Sequence, residues 1–203
     1  MRTTRLGWPV ELTDGVVGLR PLRFRDARAW AEVRNRNAEW LRPWEATPPP
    51  PAAPPRLSFR QMVRLYAAQG RADEALPWVI TYEGRLVGQL NVSSVIWGSA
   101  RMATVGYWVD SAVAGQGVTP TALALAADYC FFMAGLHRLE VNIRPENRAS
   151  LRVVEKLGFR EEGVKVRLLH IDGEWRDHRS FALTVEDVPE GVLKRWHASQ
   201  LSQ

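Results

Sequence analysis

Apolar residues recur at two spacings along this chain, and the spacing changes from one element to the next. Apolar and polar positions alternate weakly over 16–22, which predicts a first strand. Over 24–37 the residues Ala27, Trp30, Ala31 and Val33 return every three or four positions and line one helical face. A second helix is predicted over 56–70. Apolar runs at 78–82 and 86–97 flank the turn Glu83-Gly84-Arg85 and read as a hairpin, and 102–109 supplies another strand. An Ala/Leu-rich helix follows Gly117, then come a strand over 137–144 and a short helix ending at Gly158-Phe159. A last hairpin, 160–171 and 175–185, turns at Asp172-Gly173. No segment repeats. The order predicts an α/β sheet flanked by helices.

Between the first two helices lies 47–55, TPPPPAAPP, where most residues have no amide donor. It reads as a stiff extended loop, either a spacer or one wall of a groove. At 203 residues the chain has the size of one domain, with its core over about 16–185 and short extensions at both ends. Apolar residues at 46% and charged residues at 24% are the proportions of a globular protein. No apolar run has the length of a membrane span, and MRTTRLGWPVE lacks the apolar stretch of a signal peptide. A cytoplasmic, membrane-free protein is expected.

Cys130 is the only cysteine, so no internal disulfide forms, and its aromatic neighbours predict a packed thiol. The net charge is +5, with arginine far exceeding lysine. Such a field suits an anionic cofactor or a ribosome-like partner, but the arginines form no run, and direct nucleic-acid binding is not expected. Four histidines show no metal-ligand spacing, so no metal is expected. Of nine tryptophans, Trp30, Trp78 and Trp108 sit in apolar patterns and read as core. Trp40, Trp44 and Trp175 lie at turns or strand ends, where a groove or packing against the proline loop explains them equally well.

Chemistry concentrates where the strand 102–109 meets the next helix across Gly115-Gln116-Gly117. A helix start offers unpaired N–H groups and the positive end of a dipole, and glycines let a phosphate approach them. Some thirty residues on, Asn147 is placed to cap a helix and Gly158 to end it, with Lys156 at the C-terminal end of its dipole.

These two motifs together resemble the GNAT acyltransferase superfamily. Its loop Q/R-x-x-G-x-G/A is matched by 114–119, with Gly117 present, Ala114 in place of the leading Gln/Arg and Thr119 in place of the last small residue. The later N-x-x-S and K-x-G-F patterns are matched by Asn147, Ser150, Lys156, Gly158 and Phe159. Within the superfamily the chain resembles the RimJ/RimL group of ribosomal-protein N-terminal acetyltransferases, through Gly106-Tyr107-Trp108, Trp40-Leu41-Arg42-Pro43-Trp44-Glu45 and Glu162-Gly163. The likeness spans roughly 16–185.

The resemblance implies a GNAT-type single domain with a mixed, mostly antiparallel central sheet, acetyl-CoA as co-substrate, and direct attack of an amine on the thioester. It implies that the amides of Gly115, Gln116, Gly117, Val118 and Thr119 hold the pyrophosphate. Main-chain groups of Tyr107, Trp108 and Val109 would pair with the pantetheine arm, the Val109 N–H polarising the thioester carbonyl. Asn147 joins the cofactor-binding set, and Arg152 or Arg148 would reach the 3′-phosphate. Val154 stands where many relatives carry a tyrosine acid, so Ser150 takes that role. Glu140 is the implied base, with His170, Asp177 and Glu45 as other candidates.

The implied acceptor is a protein N-terminal α-amine, a ribosomal protein being one candidate, and a homodimer is compatible with the resemblance. An α-amine with pKa near 8 needs only about 1 kcal/mol to lose its proton at pH 7, against roughly 4–5 kcal/mol for lysine. The absence of an obvious strong base therefore favours the α-amine. A small amine, an amino-sugar or a lysine remains the alternative acceptor. A non-catalytic acyl-CoA sensor and a ribosome- or RNA-binding module are the alternatives from other classes.

Overall fold

A computed structural model describes residues 5–49 and 57–201. Short strands β1 (Leu12–Asp14) and β2 (Val17–Pro21) come first, then a 3-10 turn at Phe24–Asp26 leads into helix α1 (Ala27–Arg36). Helix α2 (Ala38–Leu41) and a second 3-10 turn, Arg42–Trp44, follow. The chain continues through α3 (Phe59–Arg71), β3 (Leu76–Tyr82), β4 (Arg85–Ile96), β5 (Met102–Val109) and α4 (Val118–Asp128). It ends with β6 (Arg138–Ile143), α5 (Arg148–Lys156), β7 (Arg160–Ile171), β8 (Glu174–Thr184) and α6 (Val192–Leu201).

The eight strands form one sheet in the order β1-β2-β3-β4-β5-β6-β8-β7. Every neighbouring pair is antiparallel except β5 and β6. That parallel pair needs a crossover, which α4 provides. The α/β sheet expected from the order of elements is present, and it is mixed and mostly antiparallel as the resemblance implies. β5 and β6 pair only from Met102–Arg138 to Thr104–Glu140, after which neither strand has the other as a partner. The sheet splays open there, and the site lies in the splay.

Alternation along the strands decides what covers each face. Leu90, Val92, Val105, Leu139, Val141, Phe181 and Leu183 pack into one cluster with α4, whose residues are buried at nine positions. A helix apolar all round has to be interior, and Ala122, Ala124, Ala126 and Ala127 let it lie close to the sheet. A smaller cluster of Leu22, Val33, Val63, Val79 and Leu86 seats α1 and α3 on the opposite face near β3 and β4. Cys130 is fully buried, and burial pushes its thiol up, as expected of a packed core residue.

The core reaches past 16–185 on both sides. Leu6 and Trp8 are buried, and the Trp78 indole donates to Val10 O at 2.9 Å. At the other end Val192 and Trp196 are buried, and Asp128 at the end of α4 accepts from the amides of Val192 (2.6 Å) and Leu193 (3.1 Å). The first turn of α6 is therefore capped from another helix, and the C-terminal stretch is part of the packed fold.

Candidate active site

Hydrogen bonding along β4 fixes which way β5 points its main chain. Asp110 N–H donates to Val87 O at 2.7 Å, in register with the pairs Gly88–Val109, Gln89–Trp108 and Leu90–Tyr107. Antiparallel pairs alternate between bonded and unbonded, so the N–H and C=O of Val109 and Tyr107 face away from β4. That is the side where β6 has splayed off. An extended chain of amides has a strand edge to pair with here, and the Val109 N–H points into the opening.

The loop from β5 to α4 is pinned from beneath. Asp110, 1% exposed, accepts from Arg36 Nε at 3.0 Å, Asn37 Nδ2 at 2.9 Å and Ala112 N at 3.2 Å. Asn37, itself buried, returns bonds to the Ser111 amide at 3.0 Å and hydroxyl at 2.8 Å. Burial alone would raise the Asp110 carboxyl; the Arg36, Asn37 and Ala112 bonds outweigh it and hold the pKa below the usual value. A depressed carboxyl contributes stability fully above its unfolded pKa of about 3.9, and that contribution is lost as pH falls through the lower folded value. Asp110→Asn should therefore flatten part of the stability loss between about pH 5 and 2, read as urea midpoints against pH. An unchanged slope would contradict this.

Gly115 and Gly117 adopt φ of +80° and +79°, the left-handed region that glycine enters freely. Open space lies where a Gly115 Cβ would be, while a Gly117 Cβ would sit 3.5 Å from the Trp196 ring. The first bond of α4 runs from Thr121 N to Gly117 O at 3.1 Å, so the Val118 and Thr119 amides precede the ladder and face outward from its positive end. Gln116 does not join them. Its amide donates to Val113 O at 3.4 Å and its side chain to Ala112 O at 3.1 Å. The turn engages its backbone N–H and one of its two side-chain N–H groups, and Gln116 does not line the recess beside Gly115 and Gly117, against the expectation that it belongs to the anion-binding set.

Asn147 caps α5, its side chain accepting from Ser150 N at 3.1 Å. Ser150 sits in the first turn of α5 facing β5, and the Tyr107 hydroxyl donates to its carbonyl at 3.4 Å. Burial raises the Tyr107 phenol well above its ordinary value, so it stays protonated. Three recesses meet at Tyr107. The first runs from Gly115, Gly117, Val118 and Thr119 along Val109 to Ser150, with Arg152 and Lys156 at its edge and Trp40 and Trp44 as its far wall. The second passes through the splay beside Asn142, Arg144 and His178 and also reaches Ser150. The third lies on β4 beside Tyr66, Gln89 and Asn91.

The wall is anchored by Arg144, which donates to Pro43 O at 2.6 Å and lies 5.5 Å from the Trp44 ring centroid. Trp40 and Trp44 thus belong to the groove, whereas Trp175 is 55% exposed and packs edge-on against His170. Thr47 bonds to His170 across the start of the proline stretch, and 50–55 lies outside the described residues.

Glu140 is not in any of these recesses. Its oxygens are taken by Arg138 (2.7 Å) and Lys165 (2.8 Å). Burial would raise this carboxyl, but the two cations hold it below the usual range, a poor setting for a proton acceptor. The implied base role for Glu140 is thereby corrected to a structural one. Glu140→Gln should leave kcat nearly unchanged while lowering stability by about 1–3 kcal/mol, as thermal unfolding beside turnover would reveal. Glu45 pairs with Arg34 at 2.6 Å, and Asp177 accepts from the Arg167 amide at 2.7 Å.

Two features escaped the sequence reading. His178, 3% exposed, lines the second recess, with Nδ1 bonded to Arg176 O at 3.0 Å. Nδ1 must carry the proton toward a carbonyl, which leaves Nε2 as the acceptor, and burial lowers the imidazole pKa and keeps it neutral. Trp196 is the other, lying under the anion loop and donating to Thr121 Oγ1 at 2.8 Å, which in turn donates to Gly117 O at 2.9 Å. Strand alternation would have put His178 on the Ser180 face, but nothing local ties that face to Ser150.

A free strand edge, the N-terminus of a helix and a hydroxyl converge here, an arrangement suited to an extended ligand that has amides along its length and an anionic end. The family description Acetyltransferase (GNAT) domain matches residues 17–160. The fold superposes on Mycobacterium smegmatis RimJ in complex with CoA-disulfide with a TM-score of 0.88, at 38% identity over 96% of each chain. The [ribosomal protein uS5]-alanine N-acetyltransferase of Escherichia coli is 32% identical over 187 residues, 90% of this chain and 94% of that protein. The probable N-acetyltransferase YjcK of Bacillus subtilis is 37% identical over 105 residues, 52% of this chain and 58% of that one. The chain belongs to the GNAT acetyltransferase family, and it is an N-acetyltransferase that uses acetyl-CoA. Among the described residues no cluster of metal-ligating side chains occurs, and no helix is long and apolar enough to cross a membrane.

Proposed function

We propose that this enzyme acetylates the N-terminal α-amine of a protein, with a ribosomal protein as the acceptor. The observation that carries this reading is electrostatic. Among the described residues, none of the three recesses is lined by a carboxylate. A polyamine would need acidic partners for its several charges, and a lysine would need a strong base. An α-amine gives up its proton at a cost of about 1 kcal/mol at pH 7, which a neutral imidazole can meet. The E. coli relative is a [ribosomal protein uS5]-alanine N-acetyltransferase, and its likeness runs over most of both chains.

Acetyl-CoA supplies the acyl thioester. The amides of Gly117, Val118 and Thr119 bind its pyrophosphate, with Arg152 beside the nucleotide end and Asn147 fixing the first turn of α5. Main-chain groups of Tyr107 and Val109 hold the extended arm, and the Val109 N–H polarises the carbonyl. Trp108 is left out of that edge, against the expectation from the resemblance, since its main chain pairs with Gln89 on β4 and its ring packs against Trp30 at 5.6 Å. The Ser150 hydroxyl protonates the departing sulfur.

Thiol release should be measured with alanine- and serine-starting peptides, the same peptides N-terminally blocked, and a blocked peptide bearing one lysine. The reading expects release only with the free α-amine. Equal release from the lysine peptide would sink it.

A further inference from the structure

Asn91 and Asn142 each carry a side-chain oxygen that is buried and has no hydrogen-bond partner. Buried polar atoms are almost always paired, so an unpartnered oxygen on each strand flanking β5 points to something these oxygens are built to accept from. Both are close to Gly106. Asn91 is its cross-strand partner on β4, so their side-chain positions share a face. Asn142 lies on β6 two residues past Glu140, the partner of Thr104, and so lines that face across the splay. Gly106 is exposed, and nothing stands within 4 Å of where its Cβ would be. The second and third recesses both include Gly106, one carrying Asn142 and His178, the other Asn91. This face is opposite the one on which Tyr107 meets Ser150.

We propose that the acceptor amine docks over Gly106 between the side-chain oxygens of Asn91 and Asn142 and gives its proton to Nε2 of His178. The ligand class is a primary ammonium, which brings three donors to a site made of acceptors. Neutral oxygens orient those N–H groups without the stabilisation of the charged form that a carboxylate would add, so the proton leaves more readily. A side chain at 106 would fill the dock, which accounts for a glycine in mid-strand with φ in the ordinary range.

The step balances. One ammonium proton passes to His178 and on to solvent, and the freed nitrogen pair forms the bond to the thioester carbon. The carbon–sulfur bond breaks with its pair on sulfur. A second nitrogen proton replaces the one that Ser150 gives to that sulfur, leaving an amide and a thiol. The charged groups around His178 are Arg144 and Glu146 beyond β6, Asp177 on β8, and Lys165 opposite on β7, which is occupied by Glu140. Arg144 opposes imidazolium, while Asp177 and Glu146 favour it less than burial opposes it.

This inference rests on the acetyltransferase reading and refines its acceptor side. Steady-state thiol release should be measured for the full chain with an alanine-starting peptide and, separately, with butylamine. Asn91→Leu and Asn142→Leu should each raise the acceptor KM about tenfold and leave the acetyl-CoA KM unchanged, the worth of one hydrogen bond to a charged group. His178→Gln should lower kcat about a hundredfold and shift the acidic limb of the pH profile up toward the pKa of the acceptor amine itself. Thermal stabilisation by CoA checks that each variant is folded. Unchanged acceptor KM in both asparagine variants would overturn the dock, the oxygens then serving bound water alone. A His178→Gln enzyme whose acidic limb stays at the parent position would overturn the proton path. Turnover of butylamine alone, weakened by the same variants, would refute the protein acceptor yet uphold the dock. No turnover of either amine would overturn both.

Discussion

Replacing Ser150 by alanine should lower kcat about 10²–10³-fold and leave the acetyl-CoA KM near that of the parent enzyme. The hydroxyl stands in the first turn of α5, where the first and second recesses meet. Its amide is held by Asn147 and its carbonyl by Tyr107, so the residue is fixed through its backbone and the hydroxyl is left for chemistry. Losing one oxygen disturbs neither anchor. Stability should therefore change little while turnover falls, and that separation is the signature of a group acting on the reacting atoms. Tyr107→Phe is the companion experiment, because the phenol also lies at this junction and stays protonated. If Tyr107→Phe abolishes turnover and Ser150→Ala does not, the acid is the phenol.

Trp196→Ala should have the largest effect on stability, about 3–5 kcal/mol, and should also weaken acetyl-CoA binding. The indole is 3% exposed in the main core cluster, and its N–H reaches Thr121 on the first turn of α4. Truncation empties the space beneath Gly117 and leaves the Thr121 hydroxyl without its donor. The Gly117, Val118 and Thr119 amides, which we propose meet the pyrophosphate, lose their floor. Trp196→Phe separates the two contributions, keeping most of the volume while removing the N–H. Urea unfolding read beside CoA-induced thermal shifts would test this; a stable variant with undiminished CoA binding would refute the role given to α6.

Most of the fold was legible in the sequence because its elements carry strong periodic signals. β5 lies at 102–109 as the apolar run indicated, and the hairpin β7–β8 turns at Asp172-Gly173. The anion loop and the Asn147 cap could be read from glycine and cap chemistry, since both depend on neighbours in sequence. What could not be read depends on neighbours in space. α6 buries Val192 and Trp196 and packs Leu193 partly against the core, and its cap comes from Asp128, 64 residues away. Glu140 looked like a base because the sequence does not reveal that Arg138 and Lys165 close on it. Gln116 looked like an anion ligand because the turn bonds that occupy it appear only in three dimensions. His178 carries no local motif at all. The splay, which creates the site, arises from where the pairing of β5 and β6 stops.

The account's central claim is best tested by offering the enzyme acetyl-CoA and one peptide that starts with alanine and contains an internal lysine, then locating the acetyl group by fragment masses. It predicts acetylation at the α-amine with the lysine left free. Acetyl on the lysine, or spread over both amines alike, would contradict it.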